Sequence, residues 1–440
     1  MYNKLLKITI FIMIFTASLV SVQLGGISLN KIGMIPFFLF LILSEKEKKE
    51  KIVINKNTII LFMLFVFSIC SSVFSILNPI TENKAIFSAQ LNFIIQNLVF
   101  YIPILLMVSN SNNRNIITTT FFEELVKVIR IHAIFIIVQF IIYTSFHINI
   151  SSLLFDDLLG GITGNNWTSH IYGNHILIRA SGLNYDPAFA SYLMICGIVF
   201  DNNKFSKYIY LLCTLLSQSR TGLLAAIILL LLKFLLGDKK IKINIKKLIC
   251  SIVLILVCII VINNNFIQMY IGEIFDRIID IFLNNDSKNI STLRHTSYPW
   301  LAIQSFFSSS GNILNKLFGV GPRMSGLALM EYTNEYGISF EYNTNMENNL
   351  WSIECDFADI LLGCGIFGLI IYYIQLLSFL LKKDNKIKVF AIILAIMGFM
   401  YNFAFTTINM LVFIFLVNSI INKNNGVDFN EKGCDNINQL

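Results

Sequence analysis

Arginine is the residue type in this chain best suited to hold a phosphorylated molecule. A guanidinium presents a rigid fork of N–H donors that matches pairs of phosphate or carboxylate oxygens, whereas an ammonium group acts as a point charge. Lysine supplies most of the positive charge on the inner side of the membrane topology that we predict, and arginine predominates on the outer side. The inner side has Arg114 and Arg130, and the outer side has Arg179, Arg220, Arg277, Arg294 and Arg323.

This unequal distribution predicts an outer site for a phosphorylated substrate. The alternative is that the outer arginines pair with acidic residues of the outer loops. That alternative is favoured for Arg277, which lies between Asp276 and Asp280. It is not favoured for Arg220, which interrupts an apolar stretch.

Acidic residues that could accept a proton lie in two short segments. Glu354, Asp356 and Asp359 fall in "SIECDFAD", where the last two are three residues apart and share one face of a helix. Asp186 precedes Pro187, and a helix cap is an equally good interpretation of that pair. His295 is a further candidate base, although an ordinary loop histidine is the simpler interpretation.

Metal and redox chemistry find little support in the sequence. The chain contains neither an HxxH pattern nor a carboxylate cluster with metal-ligand spacing, so we expect no metal and no cofactor. The eight cysteines form no CxxC pair and lie mostly in apolar runs, where they serve as small apolar residues.

The elements that must position these residues are membrane helices. The chain is 55% hydrophobic and only 13% charged, whereas soluble domains are about one quarter charged. Apolar runs long enough to cross a bilayer core, about 17–25 residues, occur at 5–22, 27–44, 57–78, 88–109, 126–146, 184–200, 249–263, 357–381, 388–405 and 407–422. The apolar stretch 206–236 is broken at Ser217–Arg220 and is interpreted as a hairpin of two spans. We therefore predict an all-α polytopic membrane protein with about twelve transmembrane helices.

The lysines set the orientation of these spans. With both termini on the inner side, every short basic loop faces the cytoplasm, as the positive-inside rule requires. Residues 1–422 then form a single transmembrane helical domain, with outer loops at 148–182 and 264–352 and a cytoplasmic tail at 423–440. The larger outer loop lies between spans 9 and 10. The net charge of +7 follows from this topology and indicates membrane lipid, not nucleic acid, as the neighbour.

The turn of the predicted hairpin is the strongest local indication of a site. Too few residues separate Lys207 from Lys233 for two full spans and a loop, so the turn should lie below the outer surface. An arginine at that depth, Arg220, requires a cavity and a partner. Ser217, Ser219 and Thr221 could each cap the second helix, whose N-terminal N–H groups favour an anion.

Four segments, in this order, resemble the O-antigen polymerase and O-antigen ligase superfamily. They are "RASGLNYDPAFASYL" (179–193), "SQSRTGLLAAIILLL" (217–231), "LRHTSYPWLAIQSF" followed by "LFGVGPRMSG" (293–326), and "SIECDFADILLGCGIFGLIIY" (352–372). The resemblance implies glycosyl transfer at the outer face of the bacterial cytoplasmic membrane. The donor would be a glycan on undecaprenyl diphosphate, and a chain-length regulator and a flippase would be partners.

Under this resemblance the residues take definite roles. Arg179, Arg220 and Arg294, with Ser219, would bind the diphosphate, because preorganised cations stabilise the charge on a leaving group. Glu354, Asp356, Asp186 or His295 would accept the proton of the acceptor hydroxyl. Trp167 and Trp300, in the outer loops, would stack on sugar rings, although tryptophan also belongs to the membrane interface.

The reaction that fits best is polymerisation of lipid-linked repeat units, for O-antigen or capsule. The ligases of the superfamily carry a histidine just before the last motif, and this chain has acidic residues there instead. Ligation to lipid A core or to a protein is therefore the first alternative. A flippase or transporter is the second, but the chain shows no internal repeat, and its spans are nearly free of charge.

Overall fold

The computed structural model of the chain describes residues 2–19, 23–24, 27–44, 55–79, 84–153, 169–172, 175–184, 186–236, 290–308, 312–335, 352–382 and 384–423. The predicted span 249–263, about half of the predicted outer loop 264–352, Trp167, Arg277 and the tail after 423 lie outside these residues. For Arg294 and His295 the backbone is described and the side chains are not.

Helices account for most of the described residues. In the first half of the chain they are α1 (Tyr2–Ser18), α2 (Leu29–Ser44), α3 (Lys56–Leu77), α4 (Lys84–Ile95), α5 (Ile102–Asn110), α6 (Arg114–Phe146) and α7 (Ile150–Ser152). A π-helical segment, Gln96–Tyr101, joins α4 to α5 without a break in the path of the chain.

The second half of the chain adds ten further described helices. They are α8 (Pro187–Phe200), α9 (Lys204–Ser217), α10 (Arg220–Leu236), α11 (Ile290–Phe307), α12 (Ile313–Phe318), α13 (Ser325–Glu335), α14 (Asp356–Gly363), α15 (Gly365–Leu380), α16 (Asn385–Met397) and α17 (Thr407–Lys423). The hairpin break predicted at Ser217–Arg220 is present, because α9 ends and α10 begins there.

Two short antiparallel hairpins, which the sequence did not predict, interrupt the helices. Strands β1 (Gln23–Leu24) and β2 (Ile27–Ser28) pair with each other before α2. Strands β3 (Ser169–Tyr172) and β4 (His175–Ile178) pair in register Ser169↔Ile178. The second hairpin leads directly into Arg179, so it defines the path by which the chain enters the first motif.

Three of these helical stretches are long and apolar enough to cross a membrane. They are Lys56–Leu77, Ile86–Asn110 and Arg114–Phe146. Five further apolar helical segments are shorter, for example the 14 residues of α8. Because a helix rises about 1.5 Å per residue and a bilayer core is about 30 Å thick, α8 alone falls short of a full crossing. The structure therefore shows apolar helices of a membrane protein, and the count of twelve spans stays a prediction.

The central helix of the bundle is α17. All its side chains from Thr407 to Ser419 are buried, and a helix that is buried all round lies inside a bundle. The Phe415 ring stacks on Phe121 of α6, with centroids 3.8 Å apart. The outer surfaces of the surrounding helices are apolar as well: Ile134 of α6 is 62% exposed. Such a surface agrees with a lipid environment.

The predicted span 357–381 is broken between α14 and α15, where a segment of the predicted outer loop docks. Val320 N–H donates to the Leu362 carbonyl at 3.0 Å, and Gly321 N–H donates to the Gly363 carbonyl at 2.9 Å. A Cβ on Gly319 would lie 2.2 Å from the Gly363 oxygen, so only glycine allows this approach. The Gly-x-Gly of the loop is therefore a docking element for the helix break.

The loop between α8 and α9 is held by an ion pair that no motif indicated. Arg130 of α6 donates from Nε and Nη2 to the Asp201 carboxylate at 3.0–3.2 Å, and the Tyr210 hydroxyl adds a bond at 2.7 Å. Burial acts to raise the pKa of Asp201, but the bonds from Asn203 N–H, Tyr210 and Arg130 outweigh it and lower that pKa. This pair ties α6 to the α8–α9 loop.

Candidate functional site

The motifs meet around a turn that the sequence analysis did not single out, residues 398–406 between α16 and α17, here called the α16–α17 turn. Asp356 N–H donates to the Gly398 carbonyl at 2.6 Å, and Ala404 N–H donates to the Asp356 carboxylate at 2.7 Å. Asn402 donates to the Ser352 hydroxyl. Three hydrogen bonds thus attach the acidic segment to this turn.

The two aspartates of the acidic segment are enclosed by protein. Asp356 and Asp359 are each 2% exposed and lie in the first turn of α14. The Ser325 hydroxyl of α13 donates to Asp359, and the Tyr372 hydroxyl lies 3.5 Å from Asp356. Because protein donors occupy these carboxylates, the geometry favours a positioning role for both.

Glu354 differs from its two acidic neighbours. It precedes α14 and is half-buried, so part of its side chain reaches the surface of the protein. The residues on either side of it, Ile353 and Cys355, are fully buried. The backbone is therefore anchored on both sides of Glu354, which is the least buried acidic residue of this segment.

Arg179 and Asp186 lie at the two ends of the loop between β4 and α8. The Asp186 carboxylate accepts from Ala188 N–H at 2.6 Å, with Pro187 as the first residue of α8. This is the helix cap that the sequence allowed as one interpretation of Asp186. The charge of Arg179 acts on the same carboxylate, and so does the Tyr401 side chain of the α16–α17 turn. The first motif therefore lies against the same turn as the acidic segment.

Polar side chains of α6 contact the loop between β4 and α8. Gln139 Oε1 accepts from Gly182 N–H at 2.7 Å, and Asn184 lies 3.2 Å from His132 Nδ1. The other ring nitrogen of His132 is 2.7 Å from the Ser18 hydroxyl of α1. Sequence reasoning missed both supporting residues, although two polar residues seven positions apart on an apolar helix, and so on one face, were a usable signal.

The hairpin turn that carries Arg220 is hydrogen-bonded to the Arg179 loop. Ala180 N–H donates to the Leu216 carbonyl at 3.1 Å, and the hydroxyls of Ser191 and Ser217 are 2.6 Å apart. Arg220 is the first residue of α10 and is half-buried. The structure thus joins the segments that carry Arg179 and Arg220, two of the three arginines predicted to bind the diphosphate. Binding of one diphosphate by both arginines requires such a connection.

Ser219 has the capping role that its position predicted. Its hydroxyl accepts from Gly222 N–H at 3.3 Å at the start of α10. A Cβ on Gly222 would lie 2.4 Å from the Ser191 side chain, so the glycine permits the close contact of α8 and α10. The Ser-x-Ser-Arg-x-Gly pattern is therefore explained locally by a helix cap and a helix contact.

Arg323 lies in the predicted outer loop, and the sequence analysis assigned no role to it. It adopts a left-handed backbone conformation, with φ at 62°, directly after the docking segment. Its Nη2 donates to the Phe405 carbonyl of the α16–α17 turn at 2.6 Å. Gln90 of α4 holds the same loop by donating to the Pro322 carbonyl at 3.1 Å. Arg323 therefore connects the third motif to the turn.

Three further predicted residues lie on α11. Arg294 and His295 belong to its first turns, and their side chains lie outside the described part of the chain. Trp300 is on the same helix and is 60% exposed, which leaves its ring face accessible to a sugar or to lipid. Within the described ranges, no three His, Cys, Asp or Glu residues are grouped so that they could hold a metal ion.

No protein-family model matches the chain, and no curated protein matches it either. The resemblance to the O-antigen polymerase and ligase superfamily therefore depends on the four motifs themselves. In the structure, described parts of the first, third and fourth motifs contact the α16–α17 turn, and the second is bonded to the first.

Proposed function

We propose that this protein is a membrane glycosyltransferase of the polysaccharide polymerase type. The observation that carries the proposal is the meeting of motifs separated by up to about two hundred residues at a single turn. Asp186, on which the charge of Arg179 acts, and the acidic segment contact that turn from two different parts of the chain. Packing alone does not require arginines and carboxylates from distant segments to converge, whereas transfer from a diphosphate needs both.

In this proposal the arginines bind the donor. Arg179 and Arg220, with Arg294, hold the diphosphate of an undecaprenyl-linked glycan. Their fixed charges stabilise the leaving diphosphate as the bond between the anomeric carbon and the phosphate oxygen breaks. Because these charges take the place of a divalent ion, the reaction is metal-independent.

The acceptor hydroxyl is activated by a carboxylate, which we assign to Glu354. The hydroxyl of the next lipid-linked repeat unit attacks the anomeric carbon, its proton passes to Glu354, and the new glycosidic bond forms. Asp356 and Asp359 keep the Glu354 segment in place through their bonds to the α16–α17 turn and to Ser325. Asp186 has a structural role, because its carboxylate caps α8 and interacts with the charge of Arg179.

We also propose how the protein lies in the membrane. The protein would span the bacterial cytoplasmic membrane about twelve times, with both termini inside and the site on the outer face. A chain-length regulator and a flippase would act beside it, and its product would be O-antigen or capsule. The arginine charges and the acidic segment would then face the compartment in which flipped, lipid-linked repeat units are available.

The test is the product pattern of cells that lack the protein and retain the rest of the pathway. Loss of a polymerase leaves single repeat units that are flipped and attached to the final acceptor. Long chains retained on undecaprenyl diphosphate, with none on the acceptor, would indicate a ligase. Single units trapped on the cytoplasmic leaflet would indicate a flippase. Either of the last two patterns overturns the polymerase assignment, and the ligase pattern would leave the arginine roles in place.

A further inference from the structure

Gln218 ends α9 as its C-terminal cap, and its side chain has surroundings that the fold does not explain. It lies in the turn between α9 and α10, where its backbone is left-handed with φ at 48°. The residue is 0% exposed. Neither Nε2 nor Oε1 of its side chain has a hydrogen-bond partner among the described residues.

Both properties are unfavourable for a glutamine. A left-handed backbone suits glycine or asparagine better than a residue with a long side chain. A buried amide without partners loses its hydrogen bonds to water and receives none in return. Buried polar groups in folded proteins are nearly all paired, so an orphaned amide in a strained turn indicates a ligand that pairs with it.

A second orphaned group lies on the neighbouring segment. The Ser181 hydroxyl is 0% exposed and has no hydrogen-bond partner among the described residues. The bond between Ala180 N–H and the Leu216 carbonyl holds its segment against the Gln218 turn. Ser181 follows Arg179 by two residues, and Gln218 precedes Arg220 by two. Each orphaned group is therefore two residues along the chain from one of the arginines that we assign to the diphosphate.

The chemistry of the orphaned atoms narrows the class of ligand. An ionised diphosphate offers only hydrogen-bond acceptors, so it could pair with Nε2 of Gln218 and with the Ser181 hydroxyl but not with Oε1 of Gln218. Oε1 requires a donor from the ligand. A sugar supplies both kinds of group through its hydroxyls, and an acetamido sugar also supplies an N–H donor.

We propose that Gln218 and Ser181 bind the sugar of the donor that is attached directly to the diphosphate, and that Gln218 selects for its hydroxyl or acetamido groups. This inference rests on the proposed function, because it takes the diphosphate to lie at Arg179 and Arg220. The proposed site would then recognise one sugar of the donor as well as the charge of its diphosphate.

The test uses the full chain in lipid nanodiscs and measures two dissociation constants together with the melting temperature. One probe is undecaprenyl diphosphate, and the other is the undecaprenyl-diphosphate-linked repeat unit purified from the source cells. The variant is Gln218→Met, which keeps the length of the side chain and removes its hydrogen-bonding atoms. The matched control is Gln375→Met, at a buried glutamine of α15 that donates to Ser378.

The expected result is selective. Gln218→Met should weaken binding of the repeat-unit lipid about tenfold, the effect of about one lost hydrogen bond, and leave binding of undecaprenyl diphosphate unchanged. The ligand-free melting temperature should stay the same or rise, because an unpaired buried amide is removed. Gln375→Met should leave both dissociation constants unchanged.

Three outcomes would overturn the inference. If the variant binds the repeat-unit lipid as tightly as the wild type does, Gln218 does not contact the sugar, although the proposed function stands. If the ligand-free melting temperature falls and sugar binding is kept, the amide pairs with internal water and has a structural role. If the wild type binds neither probe, the proposed function fails, and the inference fails with it.

Discussion

Ser325 donates a hydrogen bond to Asp359 at 2.5 Å and, through the same oxygen, accepts one from Ile353 N–H at 3.0 Å. One hydroxyl therefore holds both the start of α14 and the backbone just before Glu354. Because Ser325 begins α13, this contact joins the helices of the predicted outer loop to the acidic segment. The position of Glu354 is thus determined by a serine from another motif.

Removal of this hydroxyl should disorder the acidic segment. Ser325→Ala leaves the buried Ile353 N–H without its acceptor and the buried Asp359 carboxylate without its donor. Each loss lowers the free energy of unfolding by about 1–3 kcal/mol. We expect a lower melting temperature in detergent and shorter polymer. Ser68→Ala is the matched control, because among the described residues that buried hydroxyl bonds only to Leu64 of its own helix. Equal melting temperatures for the two variants would contradict this account.

If Arg179 and Arg220 bind the diphosphate, lysine should not replace either of them in function. Arg179→Lys and Arg220→Lys keep the charge but lose the fork of donors, so both should shorten the polymer ladder at normal protein level. Arg114→Lys is the control with the same chemical change, at a residue that bonds to the Ser109 carbonyl of the preceding helix, away from the site. Arg277→Ala should likewise have little effect. A normal ladder from Arg220→Ala would show that Arg220 does not bind the donor.

Substitution of the carboxylates should distinguish the proton acceptor, Glu354, from a residue with a structural role, Asp356. Glu354→Gln keeps the shape of the side chain and removes its capacity to accept a proton, so we expect the rate of transfer to fall about 10²–10⁴-fold at unchanged protein level. Asp356→Asn should lower both activity and thermal stability, because its carboxylate accepts the Ala404 bond. Polymer length by gel and melting temperature by fluorescence measure the two effects. Full activity in Glu354→Gln would move the base role to Asp356 or His295.

The ion pair between Arg130 and Asp201 predicts a stability difference that depends on pH. The pKa of Asp201 is lowered in the folded protein, so its contribution is fully present above the unfolded value of about 3.9 and is lost as the pH falls through the folded value. Asp201→Asn should therefore be less stable than the wild type at pH 7, and the gap should narrow below about pH 4. Asp384→Asn, at a carboxylate that caps α16, is the control. A gap that is independent of pH would exclude the ionised pair as its cause.

The predicted topology can be checked independently of activity. Reporter fusions at Lys49, Lys240 and Lys386 should report a cytoplasmic location, because basic loops stay inside. A fusion near Asn312 should report the outer side. A cytoplasmic signal at Asn312 would remove the basis for an outer site, because the third motif would then face the wrong compartment.

Features that depend on neighbouring residues could be predicted from the sequence. The break at Ser217–Arg220, the cap formed by Asp186 before Pro187, and the shared helix turn of Asp356 and Asp359 are all present in the structure. Each follows from helix periodicity and from the donors that a helix end leaves unpaired. The long apolar runs likewise sufficed to indicate membrane helices, since hydropathy is a property of composition.

What the sequence by itself determined was therefore the apolar helices and the residue types available for chemistry. Tertiary structure alone decided which of those residues meet. The α16–α17 turn contains no charged residue and matched no motif, yet Arg323 and Asp356 both bond to its backbone. Backbone groups are the same in every residue, so no sequence pattern marks the turn that will bind them. The orphaned amide of Gln218 follows the same rule, because burial depends on which segments pack around a residue and not on its neighbours in the chain.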